Sequence, residues 1–337
     1  MMVNAEDART VTVVGAGSFG TAIAWMLLQA GKRVQMWCYE KSDADYINAA
    51  GRNPMFLSTL RLNGVKASNV MEEAVQGCSA VIIVTPSFAV RSAAESLAAC
   101  LPDDVPVALL SKGLDATSGT TLYETVASVL GHEERLCEIA GPNHAEELAQ
   151  GSYAGAVAAS HNVETARFFQ ELLSRKTFRL YTSDDPVGVG LCAASKNVIA
   201  IACGMARGMG QGDNTISLLM TRGLAEISRL VVACDGDAAT CLGLAGVGDL
   251  NTTCNSPHSR NGSFGEAFAR EGISVADYEE RRGMVVEGAH SLDALLALGA
   301  ENGVDLPIMQ AVHDLLSGEI KLSEVADYLM TRMLKAE

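Results

Sequence analysis

The stretch Val11–Gly20, VTVVGAGSFG, constrains this chain more than any other part of it. A short apolar run ends in Gly15-x-Gly17-x-x-Gly20, and a helical pattern begins at once. Ile23, Met26, Leu27 and Ala30 recur at i, i+3, i+4, i+7, and Gly31 then stops the helix. Each glycine answers a separate need. Gly15 permits the tight turn, Gly17 lets the backbone approach a pyrophosphate, and Gly20 lets helix and strand pack closely. The N–H groups at the helix start carry partial positive charge and hold a diphosphate without a side-chain cation. Glu40, twenty residues after Gly20, falls at the end of a second strand, where a carboxylate can accept from the adenosine ribose hydroxyls. Alone, the motif is also compatible with a simple glycine-rich turn. With strand, loop, helix and second strand in order, it reads as a dinucleotide site.

The segments around it repeat the pattern. Thr10–Val14, Val34–Trp37, Ala80–Thr85, Val105–Leu110 and Leu136–Ala140 are short and apolar, as strands buried on both faces should be. Amphipathic stretches separate them, which predicts a parallel sheet with helices on both sides. After Pro186 the texture changes to long helical patterns at Val187–Met205, Thr215–Ala233, Leu292–Asn302 and Pro307–Ser317. The expected fold is an α/β N-terminal Rossmann-like doubly wound sheet followed by an all-α C-terminal domain. The expected domains are residues 1–186 for the dinucleotide and 187–337 for substrate and catalysis, with the ligand cleft where they meet.

Charge and cysteine usage narrow the class. Over 337 residues, 25 Lys+Arg against 40 Asp+Glu give a formal charge of −15, which argues against a general nucleic-acid binder. A phosphate-bearing ligand must then be caught by a few local cations. Met1–Thr10 carries Glu6 and Asp7 and shows no signal-peptide pattern. No run approaches the ~18 uninterrupted apolar residues of a spanning helix, so no membrane insertion is expected. Nine scattered cysteines without a C-x-x-C pair predict reduced, mostly buried thiols in a cytoplasmic protein and no metal site.

Several polar residues stand where burial or a ligand is expected. Leu191–Met205, LCAASKNVIAIACGM, is apolar on every side, yet Lys196 and Asn197 sit in its middle. Desolvation lowers the pKa of a buried ammonium toward neutrality, where it can exchange a proton with an alcohol or carbonyl oxygen. Snorkelling would need a polar face, which this helix lacks. Lys112, in Ser111-Lys112-Gly113, follows a strand at the end that faces the ligand crevice, a position that suits an anion contact and an ordinary loop lysine equally. Gly141-Pro142-Asn143-His144-Ala145 also follows a strand and opens a helix. His144 has no acid–base partner at a readable spacing, so a structural role fits it better. Gly246-Val247-Gly248-Asp249-Leu250 presents a carboxylate at a tight turn. Ser259-Arg260-Asn261-Gly262 presents a guanidinium and an amide at a helix start, a geometry suited to phosphate or to capping. Tyr39-Glu40-Lys41 offers a 2′-phosphate a carboxylate and a lysine but no arginine, so NAD fits better than NADP.

Taken together, these residues resemble the bacterial NAD(P)-dependent glycerol-3-phosphate dehydrogenase family. The matching stretches are GAGSFGTA (15–22), SKGL (111–114), GPNHAEEL (141–148), KNVIAIACGM (196–205), TRGLAE (221–226), GVGDL (246–250), SRN (259–261) and VVEG (285–288). The resemblance implies hydride transfer between NAD(P)H and dihydroxyacetone phosphate, giving sn-glycerol 3-phosphate for phospholipid synthesis. It implies Lys196 as the catalytic proton donor and acceptor. Around the substrate it implies Lys112, Gly141, Asn143, Lys196, Asp249, Ser259, Arg260 and Asn261. Around the cofactor it implies, with Gly15, Gly17, Gly20 and Glu40, the residues Ser18, Phe19, Tyr39, Lys112, Ala145, Arg260, Val285 and Glu287. Asn197 and Thr253 match polar positions near the reacting centre, and a homodimer is implied. Asn143 stands where bacterial members often carry Ser or Thr, and Tyr39-Glu40 where many carry a basic residue. A β-hydroxyacid or 6-phosphogluconate-type dehydrogenase would share the lysine helix, but GVGDL and SRN argue against it. A non-catalytic dinucleotide sensor would have no use for a buried lysine.

Overall fold

The structure, a computed structural model, describes residues 8–331. The reading of Met1–Thr10 and the outer ends of both expected domains include residues 1–7 and 332–337, outside that range. One sheet contains β1 (Thr10–Val14), β2 (Arg33–Trp37), β3 (Lys66–Ser68), β4 (Ala80–Ile83), β5 (Val107–Leu109), β6 (Leu136–Ala140), β7 (Ala154–Ala159) and β8 (Phe178–Ser183). Their order is β3-β2-β1-β4-β5-β6-β7-β8. Between β1 and β4 the winding reverses, which opens a crevice at the carboxyl ends of the strands.

All five expected strands form, two of them shorter than expected. β5 starts after Pro106, which has no N–H for the ladder. β4 stops at Ile83, and Val84 and Thr85 lie against Gly15. β4 is buried throughout, with Ile82 packed on one side of the sheet near Ile23 and Phe169, and Val81 and Ile83 on the other near Leu97 and Tyr123. Three further strands, β3, β7 and β8, carry weak sequence signals. β3 is three residues long, and β7 (AGAVAA) has one β-branched residue and little strand propensity. β8 alternates buried Phe178 and Leu180 with exposed Arg179 and Tyr181, as a strand with one wet face does. The five expected strands run parallel, and the antiparallel pairing of β6 with β7 comes from a strand the sequence pattern does not mark.

Helix α1 (Ser18–Gln29) follows β1. Beyond β8 the described chain is helical, with α2 (Pro186–Gly208), α3 (Asp213–Ala233), α4 (Asp249–Asn255), α5 (Arg260–Glu271), α6 (Glu287–Glu301) and α7 (Pro307–Ser317) as its main elements. Pro186 occupies the first turn of α2, and the Asp185 carboxylate accepts from the Gly188 N–H, a cap that pins the start of the helix. The other helices surround α2. It is long and apolar enough to cross a bilayer, which corrects the expectation that no such segment exists, but 94 % of its most apolar window is buried inside the protein. Helix α5 lies almost backbone to backbone on α2. A Cβ on Gly204 would sit 2.1 Å from the Gly262 carbonyl oxygen, and one on Gly265 2.2 Å from that of Ile201. Only glycine permits this approach, and it holds Arg260 and Asn261 beside the lysine helix. Ala140 and Ala159 of the sheet pack on Val189, Ala193 and Ala245, bringing the first half of α2 under the end of β6.

Candidate active site

The glycine loop has the conformation its sequence requires. Gly15 adopts φ +119° with Val84 against it, and a Cβ on Gly20 would lie 2.0 Å from the Gly15 carbonyl oxygen. A Cβ on Gly17 would meet nothing within 4 Å, so its missing side chain keeps open the space above the loop. Gly17 is also the N-cap of α1 and supplies no side-chain partner, which leaves the first-turn N–H groups aimed at that space. The Ser18 hydroxyl donates to Glu146 (3.1 Å), and Phe19 packs partly into the sheet core. Asn53, which no sequence signal singled out, is buried and donates to the Ala16 carbonyl (2.8 Å) and the Thr21 hydroxyl (2.9 Å). It braces the loop from the side. These groups fit a dinucleotide diphosphate.

At the end of β2, Tyr39 is 81 % exposed and Glu40 is exposed at the start of the next helix, with no capping bond from its side chain. Both are free to meet a ribose. Lys41 pairs with Asp45 (2.7 Å) on the surface.

The chemical centre is assembled from four segments. Lys196, 4 % exposed on α2, donates to Asp249 Oδ1 (2.9 Å) and to Thr253 Oγ1 (2.5 Å), both on α4. Lys112, from the loop after β5, donates to the other oxygen of Asp249 (2.9 Å) and to the Gly141 carbonyl and Asn143 Oδ1, each 3.3 Å away. One carboxylate thus bridges two ammonium groups. Burial pushes the Lys196 pKa down to about 8, against the pull of Asp249. Burial alone would raise the Asp249 carboxyl, but Lys112 and Lys196 hold it below the usual carboxylate range. His144 precedes a short helix that starts at Ala145 and makes no capping bond to it. Burial, then Lys196 and Lys112, push its pKa down. Among the described residues, no group of three or more His, Cys, Asp or Glu could hold a metal, and all nine cysteines are free thiols.

Around this centre the remaining residues divide by what their side chains touch. Arg260 is exposed at the first turn of α5 and makes no hydrogen bond or ion pair among the described residues, which leaves its fork open to an anion. The Ser259 hydroxyl caps α5 by accepting from Gly262 N (3.1 Å). Asn261, grouped with Arg260 on sequence, donates to Asn197 Oδ1 (3.0 Å) and accepts from Gly288 N (2.9 Å). Its amide joins α2, α5 and α6. Val285 lies just before α6, and the Glu287 carboxylate accepts from the backbone N–H and hydroxyl of Ser87, beyond β4. Phe88, 65 % exposed, extends from the same turn. Neither Ser87 nor Phe88 was legible in the sequence, where TPSF is an ordinary loop.

A Rossmann sheet with an open helix N-terminus, facing a buried lysine on an α-helical half, defines a nicotinamide-dependent oxidoreductase. The comparisons carry this to a particular family. Residues 10–166 match the N-terminal family model of NAD-dependent glycerol-3-phosphate dehydrogenase, and residues 185–327 match the C-terminal one. The chain is 38 % identical over 331 residues to a glycerol-3-phosphate dehydrogenase (NAD(P)+) of Nocardia farcinica, covering 96 % of this chain and 98 % of the relative. It is 39 % identical over 333 residues to one from Mycobacterium tuberculosis, covering 98 % and 99 %. The crystal structure of the Coxiella burnetii glycerol-3-phosphate dehydrogenase superposes with a TM-score of 0.91 at 32 % identity, over 96 % of this chain and 99 % of that one. The chain belongs to the NAD-dependent glycerol-3-phosphate dehydrogenase family and is an NAD(P)-dependent oxidoreductase.

Proposed function

We propose that the protein interconverts dihydroxyacetone phosphate and sn-glycerol 3-phosphate, with Lys196 as the group that exchanges a proton with the C2 oxygen. The observation that carries this reading is Lys196 itself. It is buried in the middle of α2, held by Asp249 and Thr253, with a pKa lowered to about 8. An ammonium tuned near neutral pH donates readily to a forming alkoxide and takes the proton back in the reverse direction. NAD(P)H, when bound, supplies the hydride. Asp249 orients both lysines, Lys112 and Asn143 stand next to the carbonyl, and the open fork of Arg260 takes the substrate phosphate bidentately. Binding energy at that phosphate, remote from C2, then positions the carbonyl.

The backbone N–H groups of Gly17–Gly20 hold the diphosphate, and the exposed Glu40 accepts from the ribose hydroxyls, which favours NAD over NADP. The work divides near Pro186, with residues 1–186 for the dinucleotide and 187–337 for substrate. The resemblance further supports a cytoplasmic homodimer that supplies glycerol 3-phosphate for phospholipids. Lys196→Met tests the core of the reading, since it keeps the length and removes the charge. Reductive turnover should fall by about 10²–10⁴-fold with NADH affinity nearly intact. Turnover within a few-fold of the unmodified protein would remove Lys196 from the proton transfer.

A further inference from the structure

The Glu287 carboxylate spans 200 residues of sequence to reach Ser87. Glu287 is the first residue of α6, whose N-cap, Val286, offers no side-chain cap. A carboxylate there would ordinarily turn back to its own helix's N–H groups. Instead its oxygens accept from the Ser87 backbone N–H (3.3 Å) and from the Ser87 hydroxyl, on the turn that leaves β4. Burial pushes the Glu287 carboxyl up, and the two bonds from Ser87 and the nearby Arg260 offset only part of this.

A second stitch lies beside this one. Gly113, which follows Lys112 in the loop beyond β5, adopts φ +153°. A Cβ on it would lie 2.7 Å from Ser87 Cβ and 3.0 Å from Ser291 Oγ. Ser291, one turn along α6 from Glu287, accepts from the Leu114 N–H (3.4 Å). The start of α6 is therefore tied to the loops that follow β4 and β5 at the carboxyl edge of the sheet. On its other side that turn rests on the lysine helix. Gly288 N donates to Asn261, Asn261 donates to Asn197 Oδ1, and Asn197 is the neighbour of Lys196. A Cβ on Gly288 would sit 2.7 Å from the Asn197 backbone.

We propose that Ser87 is a positioning residue: through Glu287 it sets how far the dinucleotide crevice stands from Lys196. This rests on the assignment of Lys196 above. The bridge passes through a packed helix turn that cannot slide without breaking bonds at both ends. Hydride transfer needs reacting atoms held within a few tenths of an ångström, and a misplacement of about 1 Å costs up to 10²-fold. Ser87 itself needs to touch neither substrate nor cofactor to matter.

Ser87→Ala, with Ser87→Thr as the conservative control, separates this role from a structural one. In S87A, kcat should fall by about tenfold or more, with the NADH dissociation constant and the KM for dihydroxyacetone phosphate each within about threefold of the unmodified enzyme. The primary isotope effect from 4-deuterated NADH should rise, because hydride transfer becomes slower. In the cofactor-free protein, the amides of Gly288–Ser291 should exchange with deuterium faster in S87A, and S87T should restore both rate and protection. If S87A does not fold, Ser87→Cys gives the same comparison with a weaker donor. Several results overturn the proposal: kcat within twofold in S87A, a loss confined to NADH affinity, unchanged amide exchange, or an S87T as poor as S87A. None of these restores activity to Lys196→Met, so failure here is distinguishable from failure of the Lys196 assignment.

Discussion

Asp249→Asn perturbs the reaction through electrostatics while keeping the shape of the site. In the native site one carboxylate oxygen lies 2.9 Å from Lys196 Nζ and the other 2.9 Å from Lys112 Nζ. At an effective dielectric near 20, unit charges at that distance attract by about 6 kcal/mol, equivalent to ~4 pKa units. Relaxation and water entry recover about half of this. Lys112 adds repulsion that is no longer offset. The Lys196 pKa, about 8 in the native site, should then drop by about 2 units in D249N, to about 6. If Lys196 donates the proton as proposed, it must be protonated in the reducing direction, so turnover is present below its pKa and is lost as pH rises through it. The native enzyme should lose reductive turnover above pH about 8, and D249N above about 6, which is a loss of roughly 25-fold at pH 7.5. In the oxidising direction the base form is needed, so the limbs invert. The assay is kcat for dihydroxyacetone phosphate reduction from pH 5 to 10 at saturating NADH. Removing one member of a buried charge cluster costs ~3–5 kcal/mol of stability, so rates are taken at a temperature where melting curves show the variant folded. A D249N profile that still breaks near pH 8 would show that Lys196 does not feel this carboxylate, and the proton-relay reasoning would fail with it.

Cofactor choice should follow Glu40, which is exposed and uncommitted, whereas Lys41 is engaged with Asp45. Like-charge repulsion of a 2′-phosphate, screened to ~1–2 kcal/mol, predicts kcat/KM about 5–30-fold higher with NADH than with NADPH. Glu40→Ser with Lys41→Arg should shift that ratio toward NADPH, and equal efficiencies in the unmodified enzyme would show that Glu40 does not meet the ribose. Away from the site, Glu226 of α3 is buried and accepts from the N–H groups of Ile308 and Met309 at the start of α7, and burial pushes its pKa to about 7. The folded state thus keeps a proton that the unfolded chain releases near 4.5, the ordinary glutamate value. This stabilisation is full below about pH 4.5 and is lost as pH rises through 7, by about 3 kcal/mol. Denaturant titrations of Glu226→Gln at pH 4.5 and pH 8 should lack this decline, and parallel pH dependences of the two proteins would refute it.

Much of this molecule is written locally. The glycine loop, the helix after it and the strands β1 and β6 follow from period, turn chemistry and apolar runs, because those signals act over ten residues or fewer. Lys196 was legible for a related reason: a charge in a helix that is apolar on all sides contradicts its surroundings, and such conflicts mark function. The strands without a clear sequence signal are those whose own residues argue weakly. β7 is made of small residues and β8 has a wet face, so pairing with neighbours, not propensity, makes them strands.

What the sequence could not contain is which side chains meet. That Asp249 would divide its two oxygens between Lys112 and Lys196 depends on where α4 lands against α2 and the loop after β5. The sequence places Asn261 beside Arg260 but does not say which groups its amide meets. On a helix adjacent residues point about 100° apart, so Arg260 faces outward while Asn261 is buried and its amide joins three helices. Ser87 and Glu287 lie 200 residues apart, and no periodicity relates them. Local chemistry thus determined the elements and the buried lysine. Only the packing of a sheet against a helical half decided which groups surround that lysine and how far its pKa is pulled down, because both depend on distances between segments far apart in the chain.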